Sequence, residues 1–137
     1  SETGAPLIID AATLTGAAVM AVGTNYNAIF SPKAEVLALA QQKALAVGER
    51  VWPLPLDPWH KDNCPSPYAD TANSRPMKGG GAGGASNAAG FLWRFVAPEA
   101  NWLHIDLASA FSDNGDHLWS AGATTHGVLT IAGLLED

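Results

Sequence analysis

The stretch LIIDAATLTGAA, residues 7–18, constrains the fold most. Leu7, Ile8 and Ile9 are consecutive and apolar, the pattern of a β-strand covered on both faces. Asp10 to Ala12 closes that strand. A strand of this kind needs neighbours already in place and helices on both sides. The segment after it is unusual: its residues are small and hydroxylated, with Thr13, Thr15 and Gly16 close together. Two readings are open. Thr13 or Thr15 caps a short helix over residues 16–22, or the small residues form a floor on which a ligand lies.

The rest of the chain alternates strand and helix signals. Residues 26–30 (YNAIF) read as a second strand. Ser31 then caps a helix with Pro32 at its first position. Leu37, Ala40, Ala44 and Val47 keep helical spacing, and Gly48 terminates it. The three prolines of VWPLPLDP forbid a central strand and predict a loop or an edge segment. WHKDNC reads as a short helix. Residues 65–87 are rich in Pro, Ser, Asn and Gly, a long loop of the kind often tied to function. A helix over 87–96, capped by Ser86 or Asn87, and a strand over 101–109 come next. On that strand Leu103, Ile105 and Leu107 share one face, and His104 and Asp106 the other. A polar loop to Ala123 leads to a last helix over 127–136, with Val128, Ile131, Leu134 and Leu135 as its apolar face. The expected class is α/β: a partial three-layer sandwich, with a mixed or mostly parallel sheet and helices on both faces. In such sheets ligands lie beyond the carboxyl ends of strands. Two segments, DAATLTG and LASAF, place small side chains and hydroxyls there.

Composition narrows the function classes. With 137 residues, 47% of them hydrophobic and only 15% charged, the chain can bury an ordinary core. A net charge of −6 and the lack of any basic run argue against a nucleic-acid binder. The longest apolar runs are far below membrane-spanning length, and no signal-peptide pattern opens the chain. Cys64 is the single cysteine, so no internal disulfide forms, which fits a reducing cytosol.

Each chemical motif has a plain structural counterpart. GGGAGG, residues 79–84, formally contains GxGxxG, but NSRPMK and not a strand precedes it. It reads as a loop into a helix with backbone amides free at the helix start. A nucleotide-binding domain would need ordered phosphate contacts there. His104 and Asp106 can reach one ligand, but two donors do not close a metal site, and a satisfied polar pair is the better reading. SDNGDH, residues 112–117, lacks the EF-hand pattern. His60 and His126 are isolated. Ser66 and Ser86 lack a nucleophile elbow, and Cys64 has no base beside it. The residues alone thus yield an acidic α/β unit with a ligand floor and no catalytic set.

Four ordered stretches add more. IIDAATLTGAA strongly resembles the leucine aminopeptidase (cytosol aminopeptidase) family. SPYADTAN, GGASNAAGFLWRFV and WLHIDLASA resemble further family segments in the same order, and the tail WSAGATTHGVLTIAGLL is similar to its peptidase B branch. The resemblance runs from about Leu7 to Leu135. It implies a cytoplasmic, hexameric metalloaminopeptidase, a hydrolase of peptides with two divalent ions, manganese or zinc. The family's Asn-Thr-Asp-Ala-Glu-Gly-Arg metal motif, which lies upstream of the matching strand, does not occur here. The expectation is therefore the C-terminal part of a catalytic domain, residues 1–137, with no metal ligand and no catalytic residue of its own, inactive alone and packed against the remainder of its domain. By resemblance, Thr13 and Gly16 line the pocket for the substrate's first side chain. The Leu14 carbonyl and the Gly16 amide bind peptide-like ligands, and Ala108 and Phe111 are further pocket positions. Phe111 stands where Met is frequent in the family, and GATTHGV lacks the family's arginine and proline in the last loop. The rival expectation is a non-catalytic binding or assembly module with the same fold.

Overall fold

The computed structural model describes residues 4–78, 81–115 and 120–136. Strand β1 (Ile8–Ala12) leads into helix α1 (Gly16–Val22), β2 (Asn27–Phe30), α2 (Ala34–Ala46) and β3 (Val51–Pro53). A 3₁₀ helix (Pro58–Asn63), α3 (Gly84–Trp93) and β4 (Trp102–Asp106) come next, then β5 (Phe111–Ser112), β6 (Gly122–Ala123) and α4 (Val128–Leu135). The main sheet has the order β1-β4-β2-β3. β1 and β4 are parallel, β4 and β2 antiparallel, and β2 and β3 parallel, so the sheet is mixed. β5 and β6 form a separate antiparallel pair.

Two apolar clusters make the three layers. On one face Ile29, Leu103, Ile105 and Val51 pack against Val36, Ala40 and Ala44 of α2 and Leu134 of α4. On the other, Ala28 and Phe30 meet Ala18 of α1 and Ala85 and Ala89 of α3. Strand residues alternate between these faces because the side-chain period is two. β4 is buried along its whole length. α3 sits against the 3₁₀ helix through Gly90, where a Cβ would lie 2.5 Å from the His60 carbonyl carbon. That backbone approach admits only glycine.

Several boundaries differ from the sequence reading. β1 continues to Ala12, through Asp10. α2 begins at Ala34, with Lys33 at the cap position and no side-chain cap, while the Ser31 hydroxyl accepts from the Lys33 N–H at 3.1 Å. Pro32 thus precedes the helix. Gly48 stops α2 with a φ of +79°. β3 is short and lies at the sheet edge, as its prolines require. α3 starts at Gly84, behind a left-handed Gly83, so Ser86 and Asn87 are buried helical residues and not caps. The Asn87 amide serves distant partners instead, accepting from Asn63 at 2.6 Å and donating to the Ala82 carbonyl at 3.1 Å. The expected apolar face of α4 is turned. Thr130 and Leu134 are buried, whereas Val128 and Leu135 are 59% and 72% exposed. The cause is Glu49, whose carboxylate accepts from the Thr130 N–H at 2.8 Å and its hydroxyl at 2.6 Å. No helix among the described residues is long and apolar enough to cross a membrane.

Candidate functional site

The carboxyl ends of β1 and β4 lie side by side, with Ala12 opposite Asp106 and the Leu107 N–H donating to the Ala12 carbonyl at 2.8 Å. Ala12 and Ala28 flank Asp106 in register on its two neighbouring strands. Those small side chains leave room above the carboxylate, and the turn after β1 fills it. Asp106 Oδ1 accepts from the Leu14 N–H at 3.0 Å and the Thr15 N–H at 3.3 Å. Oδ2 accepts from the Thr15 hydroxyl at 2.7 Å. The Thr15 oxygen in turn accepts from the Ala18 N–H at 3.0 Å, which makes Thr15 the cap of α1. The cap faces inward and leaves the outer side of the turn free at Gly16. Thr13 and Gly16 are exposed, and Leu14 is 40% exposed. A Cβ on Gly16 would meet nothing within 4 Å.

Thr13, Leu14 and Gly16 thus share one turn. Ala108 lies just past β4 and is buried beneath it, in the cluster of Ala18 and Phe30. Phe111 stands apart on β5, 57% exposed. It lines an open cavity of about 700 Å³ with Ser109, Thr124 and His126 among its walls.

The same face of the sheet carries a polar group that sequence reasoning does not single out as a unit. Asp10, His104 and Phe30 stand in one row across β1, β4 and β2. His104 Nδ1–H donates to Asp10 Oδ1 at 2.6 Å, and the Trp102 indole N–H donates to Asp10 Oδ2 at 2.6 Å. His104 is fully buried between the Phe30 and Trp102 rings, with centroids at 5.7 and 6.2 Å. Its Nε2 has no hydrogen-bond partner among the described residues. The alternation in WLHID is the signal for this face. Its pairing with Asp10, 94 positions away, has no local trace. His104 and Asp106 serve different partners and do not converge on one ligand, and the expected satisfied polar pair is met at Asp106 and at His104 Nδ1 but not at His104 Nε2.

The remaining candidates fall to structural roles. Among the described residues no group of three or more His, Cys, Asp or Glu could hold a metal ion. Cys64 is buried, and that burial pushes its thiol up, against the weaker downward pull of Arg94 and Arg75. A thiol so held is a poor nucleophile. His60 accepts from the Asp57 N–H at 2.9 Å in a capping box, and His126 Nε2 lies against the Arg50 backbone. Of the glycine run, residues 81–84 lead into α3 with no strand among the residues just before them. Gly79 and Gly80, like Asp116 and His117 of SDNGDH, lie outside the described residues.

The chain resembles known proteins in sequence and in fold. A profile of the "Cytosol aminopeptidase family, catalytic domain" matches residues 1–132. The chain belongs to the cytosol aminopeptidase family. Within that family it is 43% identical to Peptidase B of Pectobacterium carotovorum over 98% of its own length and 31% of the relative's. It is 45% identical to Peptidase B of Yersinia pestis with the same coverage. A mutant of tomato leucine aminopeptidase superposes with a TM-score of 0.86 at 34% identity, covering 99% of this chain and 26% of that one. A bottromycin maturation enzyme in complex with manganese gives 0.85 at 34% identity, covering 95% and 28%. This aminopeptidase-family chain therefore spans about a third of the length of the curated relatives it matches.

Proposed function

We propose that the chain is the C-terminal part of the catalytic domain of a cytoplasmic two-metal aminopeptidase, which releases N-terminal residues from peptides. Its share of the work is the substrate wall. The observation that carries this reading is the exposed turn at Thr13, Leu14 and Gly16, held from behind by Asp106 and free of neighbours at Gly16. The small residues let an extended peptide backbone approach closely. By resemblance Ala108 and Phe111 belong to the same wall; Phe111 lines the open cavity, and Ala108 is buried in the apolar cluster. The described residues do not fit the metal pair, since they form no ligand cluster. The two ions, manganese or zinc, belong in this reading to the remainder of the domain. That manganese was found with a 34%-identical relative supports their presence in the whole enzyme.

The remainder of the domain is also the chain's first partner. One edge of β1 pairs with β4, and its other edge has no strand beside it among the described residues. Next to it lies an open groove of about 430 Å³ lined by Leu7, Ile9, Ile131 and Leu135. An unpaired edge beside an apolar groove takes a further strand and a covering layer. The longer relatives have chain to supply both. The complete protein assembles as a hexamer in this reading.

The test compares the 137-residue chain, shown folded by circular dichroism, with the full-length protein. With manganese or zinc added, the full-length protein releases N-terminal residues from short peptides, and the chain alone releases none. Metal-dependent turnover by the chain alone overturns the division of labour. A full-length protein that binds peptides without turnover supports instead a non-catalytic binding or assembly module.

A further inference from the structure

We propose that Asp106 is a positioning residue, which aims the Leu14 carbonyl at the substrate. The inference rests on the reading of the turn as a substrate wall. Asp106 is 1% exposed and touches no open surface, so it does not meet the peptide itself. Its effect passes through two consecutive peptide planes. The Leu14 and Thr15 N–H groups both donate to the same oxygen, Oδ1, at 3.0 and 3.3 Å. Both bonds are trans, as no cis peptide occurs among the described residues. In a trans peptide the C=O and N–H point in opposite directions. The Thr15 N–H faces Asp106, so the carbonyl of the same plane, that of Leu14, faces away from β4. It therefore presents an acceptor on the open side of the turn, where a peptide N–H or a terminal amine can donate to it.

The chemistry explains why the residue is an aspartate. Three donors converge on it, two N–H groups on Oδ1 and the Thr15 hydroxyl on Oδ2. A carboxylate is acceptor-only and can satisfy all three, with charge-assisted bonds. An asparagine offers one oxygen. Its NH₂ would face the Thr15 oxygen and leave the Thr15 hydroxyl hydrogen without the acceptor that Oδ2 supplies. The alanines at positions 12 and 28 complete the device, because larger side chains beside Asp106 would hold the turn off the carboxylate.

A carbonyl that binds the peptide equally in the ground and transition states lowers KM and leaves kcat alone. In the full-length enzyme, Asp106→Ala, which removes the acceptor of both N–H groups, should thus raise KM for short peptides about five- to tenfold, the worth of about one hydrogen bond, with kcat little changed. Metal content should be that of the wild type. A merely structural role predicts less folded enzyme with an unaltered KM. Should Asp106→Ala fail to fold, Thr15→Val removes the hydroxyl bridge to Asp106 together with the cap on the Ala18 N–H. Its KM should rise about two- to threefold, less than for a whole lost contact, and Thr15→Ser should restore it. Gly16→Val is measured beside them, since it blocks the wall directly. A wild-type KM in folded Asp106→Ala, or in folded Thr15→Val if that is the variant available, overturns the positioning role when Gly16→Val is impaired. A fully active Gly16→Val overturns the wall itself, and the role of Asp106 falls with it.

Discussion

On one side of β4, Leu103 and Ile105 are closed in by aliphatic side chains of α2 and α4. On the other, Trp102, His104 and Asp106 are equally buried, yet each is wired by hydrogen bonds to β1 or the turn after it. Burial alone does not separate the two sides; all five residues are almost inaccessible. The kind of interaction separates them. The apolar side is non-directional and holds the layers together. The polar side is directional, and every bond in it fixes the position of a particular group. The turn at Leu14 and Thr15 inherits its geometry from that second side.

The comparison breaks most visibly under truncation of the apolar side. Leu103→Ala in the full-length protein should cost about 2–5 kcal/mol of stability, read from the denaturant midpoint, because the cavity is enclosed on all sides. The KM of the protein that remains folded should not move. A raised KM at normal stability would mean that the apolar side also shapes the wall.

A smaller effect comes from a polar tie between the end of α2 and α4. Burial pushes the Glu49 carboxyl up, but the Thr130 hydroxyl and backbone, the Gly127 N–H and His126 together hold it below its ordinary value of 4.5. A group whose value is lowered on folding stabilises the protein above its unfolded value and loses that contribution as pH falls through the folded one. Glu49→Gln should therefore be less stable than wild type by about 1–2 kcal/mol at neutral pH. The gap should shrink below about pH 4.5, the range in which Glu49 itself takes up a proton. Denaturation of both proteins from about pH 7 to about pH 3 measures it. A gap independent of pH would assign the α4 anchoring to packing alone.

Periodicity makes β4 legible, because a two-residue alternation maps directly onto two faces. The class of fold is legible in the same way, from the alternation of strands and helices. Caps are harder. Ser31, Ser86 and Asn87 are cap-forming types, yet Ser31 holds the Lys33 N–H before its helix begins, and Asn87 lies inside its helix bonded to Asn63. A polar side chain takes whichever donor the tertiary fold brings near, and no local pattern records that. The same limit applies to α4, whose face is set by Glu49, 81 residues away from Thr130. In the site, Thr13, Thr15 and Gly16 mark the turn in the sequence as small and hydroxylated. The agent that holds it, Asp106, is separated from Leu14 by 92 positions. Local spacing relates Asp106 only to His104, two residues before it.

The central claim is that the turn after β1 faces substrate while its cap faces the core, and Gly16→Val in the full-length enzyme tests it most directly. A side chain at Gly16 meets nothing within 4 Å, and the backbone there is not left-handed. Valine also suits a helix better than glycine. Stability should thus be unchanged or slightly higher. Two added methyl groups on the open face should displace the peptide, and a shift of about 1 Å suffices for a loss on the order of a hundredfold in rate. The account predicts wild-type melting temperature and metal content with kcat/KM reduced by about that factor. Wild-type kcat/KM in the folded, metal-loaded variant would contradict it.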